Sequence, residues 1–321
     1  MTTPSPTIDS PDEEYVFSIV ALPGTGQSSA RICYAARTSG LYRSDDGGSS
    51  WKIEATPISS RGVTSIIFSP DFEKDHSIFT GATGGLFRSE NGGQNWQWIA
   101  LPSPPPTITT LIISPNFVQD GVLLAGTLED GVFCSSDRGG HWSAWNFGLL
   151  DLSILCMAIS PNFSDDETIY VGTESGMFRS TNGGRAWREV DLPIGFEPVI
   201  SLAISPRYAF DHALFIGPES QGLFSSLDEG HSWQRLGGKG LTGPINSILL
   251  SPGFSDPPEI LVLTNNGVLI SRDFGKSWTV RWGEITANHQ VTAVTAPDGF
   301  DSGKKVWLGL AGGDIRQVTV S

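Results

Sequence analysis

The sequence contains no stretch that approaches 18 consecutive apolar residues, so we expect no membrane-spanning helix. Its amino terminus, MTTPSPTIDSPDEEY, lacks both the basic and the apolar segments of a secretory signal. Only three cysteines occur, Cys33, Cys134 and Cys156, and their number and spacing suit neither a disulfide framework nor a zinc site. We therefore expect a cytoplasmic protein that folds without disulfides, metal ions or cofactors.

Basic residues are also scarce, with 20 Lys and Arg against 34 Asp and Glu and a net charge of −14. An acidic chain repels phosphate backbones, so we expect no nucleic-acid partner. The five histidines show no metal-ligand spacing, and no Ser-His-Asp or Cys-His arrangement can be argued. Charged residues make up only 17% of the chain, whereas glycine and proline are plentiful, which indicates many turns and few helices.

One pattern, Ser-x-Asp/Asn-x-Gly-x-x-Trp, recurs six times in the chain. Its third positions are Asp46, Asn91, Asp137, Asn182, Asp228 and Asp273. Its closing tryptophans are Trp51, Trp96, Trp142, Trp187, Trp233 and Trp278, and neighbouring tryptophans are 45 or 46 residues apart. Six matches at this spacing indicate a repeat architecture.

Each repeat carries four short segments rich in β-branched and aromatic residues, and the pattern joins the third to the fourth. A seventh unit begins at Val291 and lacks both the pattern and a fourth strand. These features predict an all-β fold, a seven-bladed β-propeller of four-stranded antiparallel blades over residues 15–321. The tail 1–14 is a possible closing strand, the last blade could instead have three strands, and a six-bladed ring with a divergent tail is the alternative.

The repeated pattern is interpreted as a structural hairpin. Its fifth position is glycine in all six copies, which predicts a turn with positive φ. A general acid or nucleophile needs a carboxyl group, whereas Asn occupies the third position in two copies; an acceptor for turn N–H groups needs only an oxygen. We expect the tryptophan to lie between neighbouring blades.

These segments resemble the Asp-box, or BNR, repeats of sialidases, sortilin-type receptors, xyloglucan-degrading glycosidases and the photosystem II assembly factor family. The resemblance runs from about residue 16 to the end and implies a propeller. Sialidases carry a Phe-Arg-Ile-Pro segment and a Tyr nucleophile, whereas residues 30–33 here read ARIC. Xyloglucan-degrading enzymes hold their substrate in a cleft between two facing propellers, whereas this chain has one propeller and therefore half of such a cleft. The photosystem II assembly factor matches in architecture, but it is exported and has a basic arginine patch, unlike this acidic chain.

Strand order predicts that the Asp boxes lie on one face, and that the second-to-third-strand loops and interblade loops lie on the other. The binding candidates on this second face are Arg61, Trp98, Glu129, Trp145, Glu174, Glu219, Trp282 and His289. The three glutamates occupy matching places in consecutive units and could form an acid–base pair, a cation site, a negative ring for a basic partner or solvated turns. The aromatics, with Phe147 and Phe196, could form a sugar platform, a protein contact or a cover for blade edges.

No catalytic constellation can be assembled from these residues, so we expect a non-catalytic binding or scaffolding propeller. Such a protein would be an interaction subunit or assembly factor of a larger complex, and its partner another protein. The alternative is a carbohydrate-active enzyme of the glycoside hydrolase type, or a lectin, which would use the carboxylates and aromatics of the loop face on a glycan.

Overall fold

Seven antiparallel sheets form a closed ring in a computed structural model of the protein. The structure describes residues 14–22, 31–54, 62–101, 105–238, 240–252 and 259–321. The first strands of the sheets contact one another in cyclic order, and the first strand of the seventh sheet contacts that of the first. The predicted seven-bladed propeller is therefore confirmed, and the six-bladed alternative is wrong. No helix within these ranges is long and apolar enough to span a membrane.

Each blade is a meander in which consecutive strands pair. Blade I comprises β1 (Val16–Ala21), β2 (Cys33–Arg37), β3 (Gly40–Ser44) and β4 (Lys52–Ile53). Blade II comprises β5 (Val63–Phe68), β6 (Ile78–Ala82), β7 (Gly85–Ser89) and β8 (Gln97–Ile99). Blade III comprises β9 (Ile108–Ile113), β10 (Leu123–Thr127), β11 (Val132–Ser135) and β12 (Ser143–Ala144). Blade IV comprises β13 (Ile154–Ile159), β14 (Ile169–Thr173), β15 (Met177–Ser180) and β16 (Arg188–Glu189).

The remaining three blades complete the ring. Blade V comprises β17 (Val199–Ile204), β18 (Leu214–Pro218), β19 (Phe224–Ser226) and β20 (Gln234–Arg235). Blade VI comprises β21 (Ile245–Leu250), β22 (Ile260–Thr264), β23 (Gly267–Ser271) and β24 (Thr279–Arg281). Blade VII comprises β25 (Val291–Thr295), β26 (Lys305–Leu310) and β27 (Ile315–Thr319), and it has three strands among the described residues. The predicted closing strand falls in the tail, whose residues 1–13 lie outside the described ranges.

The second strand of each blade is the core of the ring. Five second strands, among them Ile78–Ala82 and Leu123–Thr127, are buried at every position. The fourth strands are two or three residues long and mostly exposed, so they form the outer rim. Apolar clusters lie between adjacent blades, because each sheet buries both faces of its second strand against its neighbours.

Hydrogen bonds around the inner strands join neighbouring blades. A hydroxyl or thiol near the start of a first strand donates to the carbonyl oxygen of the first residue in the next blade's first strand. The pairs are Thr64 to Ile108, Thr109 to Ile154, Cys156 to Val199, Ser201 to Ile245 and Thr292 to Val16. The last of these bonds, 2.8 Å long, links blade VII to blade I. It therefore joins the two ends of the ring through a side chain and the backbone.

The aromatic loops between first and second strands form one-turn helices in blades II to V. These are α1 (Phe72–Asp75), α2 (Phe117–Asp120), α3 (Phe163–Asp166) and α4 (Tyr208–Asp211); a fifth helix, α5 (Gly283–Thr286), precedes blade VII. The aspartate that ends each of the first four helices accepts a hydrogen bond from a serine six residues earlier, as Asp75 does from Ser69 at 2.6 Å. The sequence predicted these segments as loops.

Candidate functional site

The six Asp boxes share one set of hydrogen bonds. The Oγ atom of the first-position serine accepts the N–H of the fifth-position glycine at 2.8–2.9 Å in every copy. The side-chain oxygen of the third position accepts the N–H of the seventh position at 2.8–2.9 Å, from Asp and Asn alike. The fifth glycine has a φ between 77° and 95° in all six. The oxygen therefore acts as an acceptor for the turn, as predicted.

The choice between Asp and Asn follows the seventh position of the box. Where the third residue is Asp, its second oxygen accepts a hydrogen bond from Ser50, His141, Ser232 or Ser277. The two Asn boxes have Asn95 and Ala186 at the seventh position. The bonds from Ser232 lower the pKa of Asp228 to about 2, and those from Ser50 lower the pKa of Asp46 further. These carboxylates are thus held by hydrogen bonds within their own turns.

Each box also packs on the second strand of the preceding blade. Tyr34 in β2 donates its hydroxyl to the carbonyl oxygen of Gly92 at 3.2 Å, and Tyr170 in β14 donates to Glu229 at 2.9 Å. Trp307 in β26 donates to Gly47 at 3.2 Å across the closing junction. The box tryptophans lie at these blade junctions as expected, but most are half-buried, and only Trp187 is buried.

The boxes and the one-turn helices lie on one face of the ring, hereafter the box face. In five blades the N–H of the fourth box residue, Gly92 for example, donates to the carbonyl oxygen at the end of the first-to-second-strand segment, here His76. The second-to-third-strand loops and the interblade loops therefore lie at the opposite ends of the strands, on the loop face. A cavity of about 920 Å³ opens on the box face at blades VII, I and II, beside Arg31 and Asp298.

The three predicted glutamates lie on the loop face of blades III, IV and V. Glu129, Glu174 and Glu219 are all exposed. Among the described residues, none of the three has a basic side-chain nitrogen within 4.0 Å. In the part of the chain that is described, no group of three or more His, Cys, Asp or Glu side chains could hold a metal ion.

The predicted tryptophans and His289 are separate and partly engaged in packing. Trp98 packs edge-to-face on Phe87, with 5.2 Å between ring centroids. The Trp145 ring lies under the guanidinium of Arg185, 5.3 Å from the ring centroid, in the next blade's Asp box. The Trp282 indole donates to Thr319 at 3.3 Å, and His289 Nε2 lies 3.4 Å from Arg316 Nη2. Arg61 lies outside the described residues. Whether any of these residues binds a ligand stays a prediction.

Exposed apolar side chains are concentrated on the loop face of blades III to V. Phe147 is 80% exposed, Leu150 79% and Phe196 89%, and the neighbouring Leu128 and Leu152 are exposed by 41% and 37%. Phe147 and Phe196 were among the predicted aromatics, whereas the leucines were missed. A leucine in an interblade segment is normally expected to be buried, so only its position between polar loop residues could have indicated exposure.

The backbone beside each of these side chains is held by a buried or half-buried polar neighbour. Next to Phe147, Asn146 accepts the N–H of Val132 at 2.8 Å and donates to the carbonyl oxygen of Asp130 at 2.9 Å. Beside Leu150, Asp151 accepts the N–H of Ser175 at 2.8 Å.

Glu197, next to Phe196, is 9% exposed and accepts both the N–H of Ser220 and the amide of Gln221. The apolar side chains are therefore presented by loops that are already fixed, which lowers the entropy cost of binding.

The cysteine thiols are not suited to nucleophilic chemistry. Burial raises the pKa of Cys33 to about 11, and that of Cys134 and Cys156 to about 12. The thiolate is the reactive form, and it is scarce at neutral pH for such values. Cys156 instead takes a place in the inner ring of hydrogen bonds, with its sulfur 3.3 Å from the carbonyl oxygen of Val199.

No protein-family model matches the chain, and no curated protein sequence matches it. Solved structures do. The extracellular domain of a protein described as a one component system from B. thetaiotaomicron is 18% identical with a TM-score of 0.69, and the match covers 96% of this chain and 38% of that one. A GH74 xyloglucanase from Xanthomonas campestris is 17% identical with a TM-score of 0.70, covering 94% and 51%.

YCF48 from Cyanidioschyzon merolae is 14% identical with a TM-score of 0.68, and the match covers 97% of both chains. A further YCF48 structure with a bound peptide is 15% identical with a TM-score of 0.66, covering 98% of this chain and 99% of that one. The chain thus spans about half or less of the B. thetaiotaomicron and GH74 proteins, but nearly all of YCF48. Identities this low show a shared propeller fold and no more.

Proposed function

We propose that this chain is a non-catalytic protein-interaction propeller, an interaction subunit or assembly factor of a larger complex, which binds its partner through the loop face of blades III to V. The observation that carries the proposal is the exposure of Phe147, Leu150 and Phe196 on loops whose backbones are hydrogen-bonded in place. Rigid apolar side chains near the centre of a contact supply most of the energy of protein binding.

Three further features support this role. The Asp boxes use their carboxylates within their own turns, and the cysteine thiols are held protonated by burial. The end-to-end match to YCF48, one structure of which has a peptide bound, shows that a propeller of this size can take a polypeptide ligand.

The proposal can be tested by affinity purification of the tagged chain from its source organism, followed by mass spectrometry. The test variant is Phe147→Asp with Phe196→Asp. The matched control is Phe210→Asp, because Phe210 is 81% exposed but lies in α4 on the box face. All three substitutions are at exposed sites, so the folded state should be retained, and circular dichroism would check this.

We expect a stoichiometric partner with the wild-type chain and the Phe210→Asp control, and its loss with the double variant. Recovery of the same partner with all three proteins would show that the contact lies elsewhere on the protein. A chain that purifies alone and binds on a glycan array would instead favour the carbohydrate-binding alternative.

A further inference from the structure

The loops that carry the exposed apolar residues, together with the two neighbouring second-to-third-strand loops, have charge of one sign only. Segments 128–131, 145–153, 174–176, 190–198 and 219–222 together contain seven Asp and Glu residues and no Lys, Arg or His. The chain as a whole has 20 Lys and Arg against 34 Asp and Glu, so a set of seven acids without one base is a marked local excess. Four of these acids, Glu129, Glu174, Asp191 and Glu219, are exposed, so negative charge and exposed apolar side chains occur in the same set of loops.

In the part of the chain that is described, the three exposed glutamates of the second-to-third-strand loops have no cationic partner. Among the described residues, Glu129, Glu174 and Glu219 have no basic side chain within 4.0 Å. Two described cations reach these loops: the Arg185 guanidinium lies over the Trp145 ring, and the Arg235 guanidinium donates to the carbonyl oxygens of Gln221 and Leu241. Arg185 pairs with Glu167 and Arg235 with backbone carbonyls, so neither pairs with the three exposed glutamates.

We infer that this face recognises a basic, amphipathic polypeptide segment in which Lys or Arg alternates with leucine or aromatic side chains; the inference rests on the protein-binding role proposed above. Apolar side chains of the partner would cover Phe147, Leu150 and Phe196, and its cations would lie against the surrounding carboxylates. Charge of opposite sign raises the rate of encounter and disfavours partners of the wrong sign. An acidic partner or one that carries phosphate groups would be repelled.

The experiment uses a phage-displayed library of random twelve-residue peptides, selected against the whole chain at low salt. Enriched peptides are synthesised, and their Kd is measured by fluorescence anisotropy. The charge variant is Glu129→Gln with Glu174→Gln and Glu219→Gln, and the apolar variant is Phe147→Ala with Phe196→Ala. Control variants on the box face are Glu73→Gln with Asp165→Asn, both exposed acids, and Phe210→Ala.

We expect enriched peptides to be rich in Lys or Arg beside leucine or aromatic residues. The charge variant should weaken their binding about tenfold at low salt, and this difference should shrink in 0.5 M salt because screening shortens the range of surface charge interactions. The box-face controls should bind as the wild type does, which separates recognition at this face from general attraction to an acidic protein.

Two results would overturn the inference in different ways. Neutral or acidic peptides that are weakened by the apolar variant alone would disprove the basic character of the partner but support the proposed binding face. Failure to enrich any peptide, or binding that none of the loop-face substitutions changes, would count against both the inference and the proposed function.

Discussion

Trp307 joins the last blade to the first, so its removal should open the ring at that junction. The indole is 1% exposed and packs with Val16, Ile19 and Ala35 of blade I. Its Nε1 atom donates to the carbonyl oxygen of Gly47 at 3.2 Å. Burial of roughly 200 Å² at ~25 cal/mol/Å² stabilises the fold by about 5 kcal/mol as an upper bound.

We therefore expect Trp307→Ala to lower the free energy of unfolding by about 3–5 kcal/mol, in the range of other buried Trp or Phe truncations. Trp307→Phe keeps most of the packing, and loss of its hydrogen bond should cost about 1 kcal/mol. Urea unfolding followed by circular dichroism gives both values. Hydrogen exchange should show the largest loss of protection in β1 and β25, which meet at this junction.

The matched control is Trp282→Ala, which removes a half-buried tryptophan near the junction of blades VI and VII. It should cost about 2 kcal/mol, because part of its surface is already solvated. If Trp307→Ala is no more destabilising than this control, then the contact between Trp307 and blade I does not hold the ring closed, and the argument from burial fails.

Three further substitutions test the turns and the inner ring. Gly93→Ala should lower stability by about 2–3 kcal/mol in thermal unfolding, because φ is 85° and the new Cβ would meet Tyr34 of the neighbouring blade. The control Gly195→Ala, with φ of 70° and open space around the Cβ, should cost about 1 kcal/mol. Equal losses would show that the close approach at Gly93 does not matter. Asp228 has a pKa lowered from 3.8 to about 2, so its contribution to stability is complete above pH 4 and is lost as the pH falls towards 2. Asp228→Asn should therefore make the melting temperature less dependent on pH between pH 5 and 2. An unchanged pH dependence would contradict this. Thr292→Val removes the bond to Val16 and should cost about 1 kcal/mol, with faster exchange in β1; no change in either would show that the bond is dispensable.

The blades and their hairpins could be predicted because their determinants are local. Turn glycines such as Gly93 and acceptors such as Asp46 act within eight residues of sequence, and their regular spacing reveals the ring. The one-turn helices were missed although a signal exists. Ser69 and Asp75 stand six residues apart and their side chains are hydrogen-bonded across the segment between them, and the same spacing recurs in blades III to V.

The loop face was harder to predict, because the direction of a loop side chain depends on the neighbouring blade. Trp145 and Phe147 stand two residues apart in one interblade segment. Trp145 turns under Arg185 of the next blade, while Phe147 is 80% exposed. Both are large aromatics, but tryptophan is the more frequent contact residue, so residue type alone would favour Trp145 over Phe147 as the exposed binding residue. Only the three-dimensional packing distinguishes the two.

The two faces of the ring use their acidic residues in different ways, and this separates stability from binding. On the box face, Asp228 is bonded to Ser226, to Ser232 and to the backbone N–H of Ser232, so loss of its side-chain oxygens removes hydrogen bonds of the turn. On the loop face, Glu174 is exposed and has no such bonds among the described residues, while the half-buried Asp151 fixes the adjacent backbone. Exposed positions such as Glu174 and Phe196 can therefore change without cost to the ring, and the loop face of blades III to V can be fitted to a partner independently of the fold.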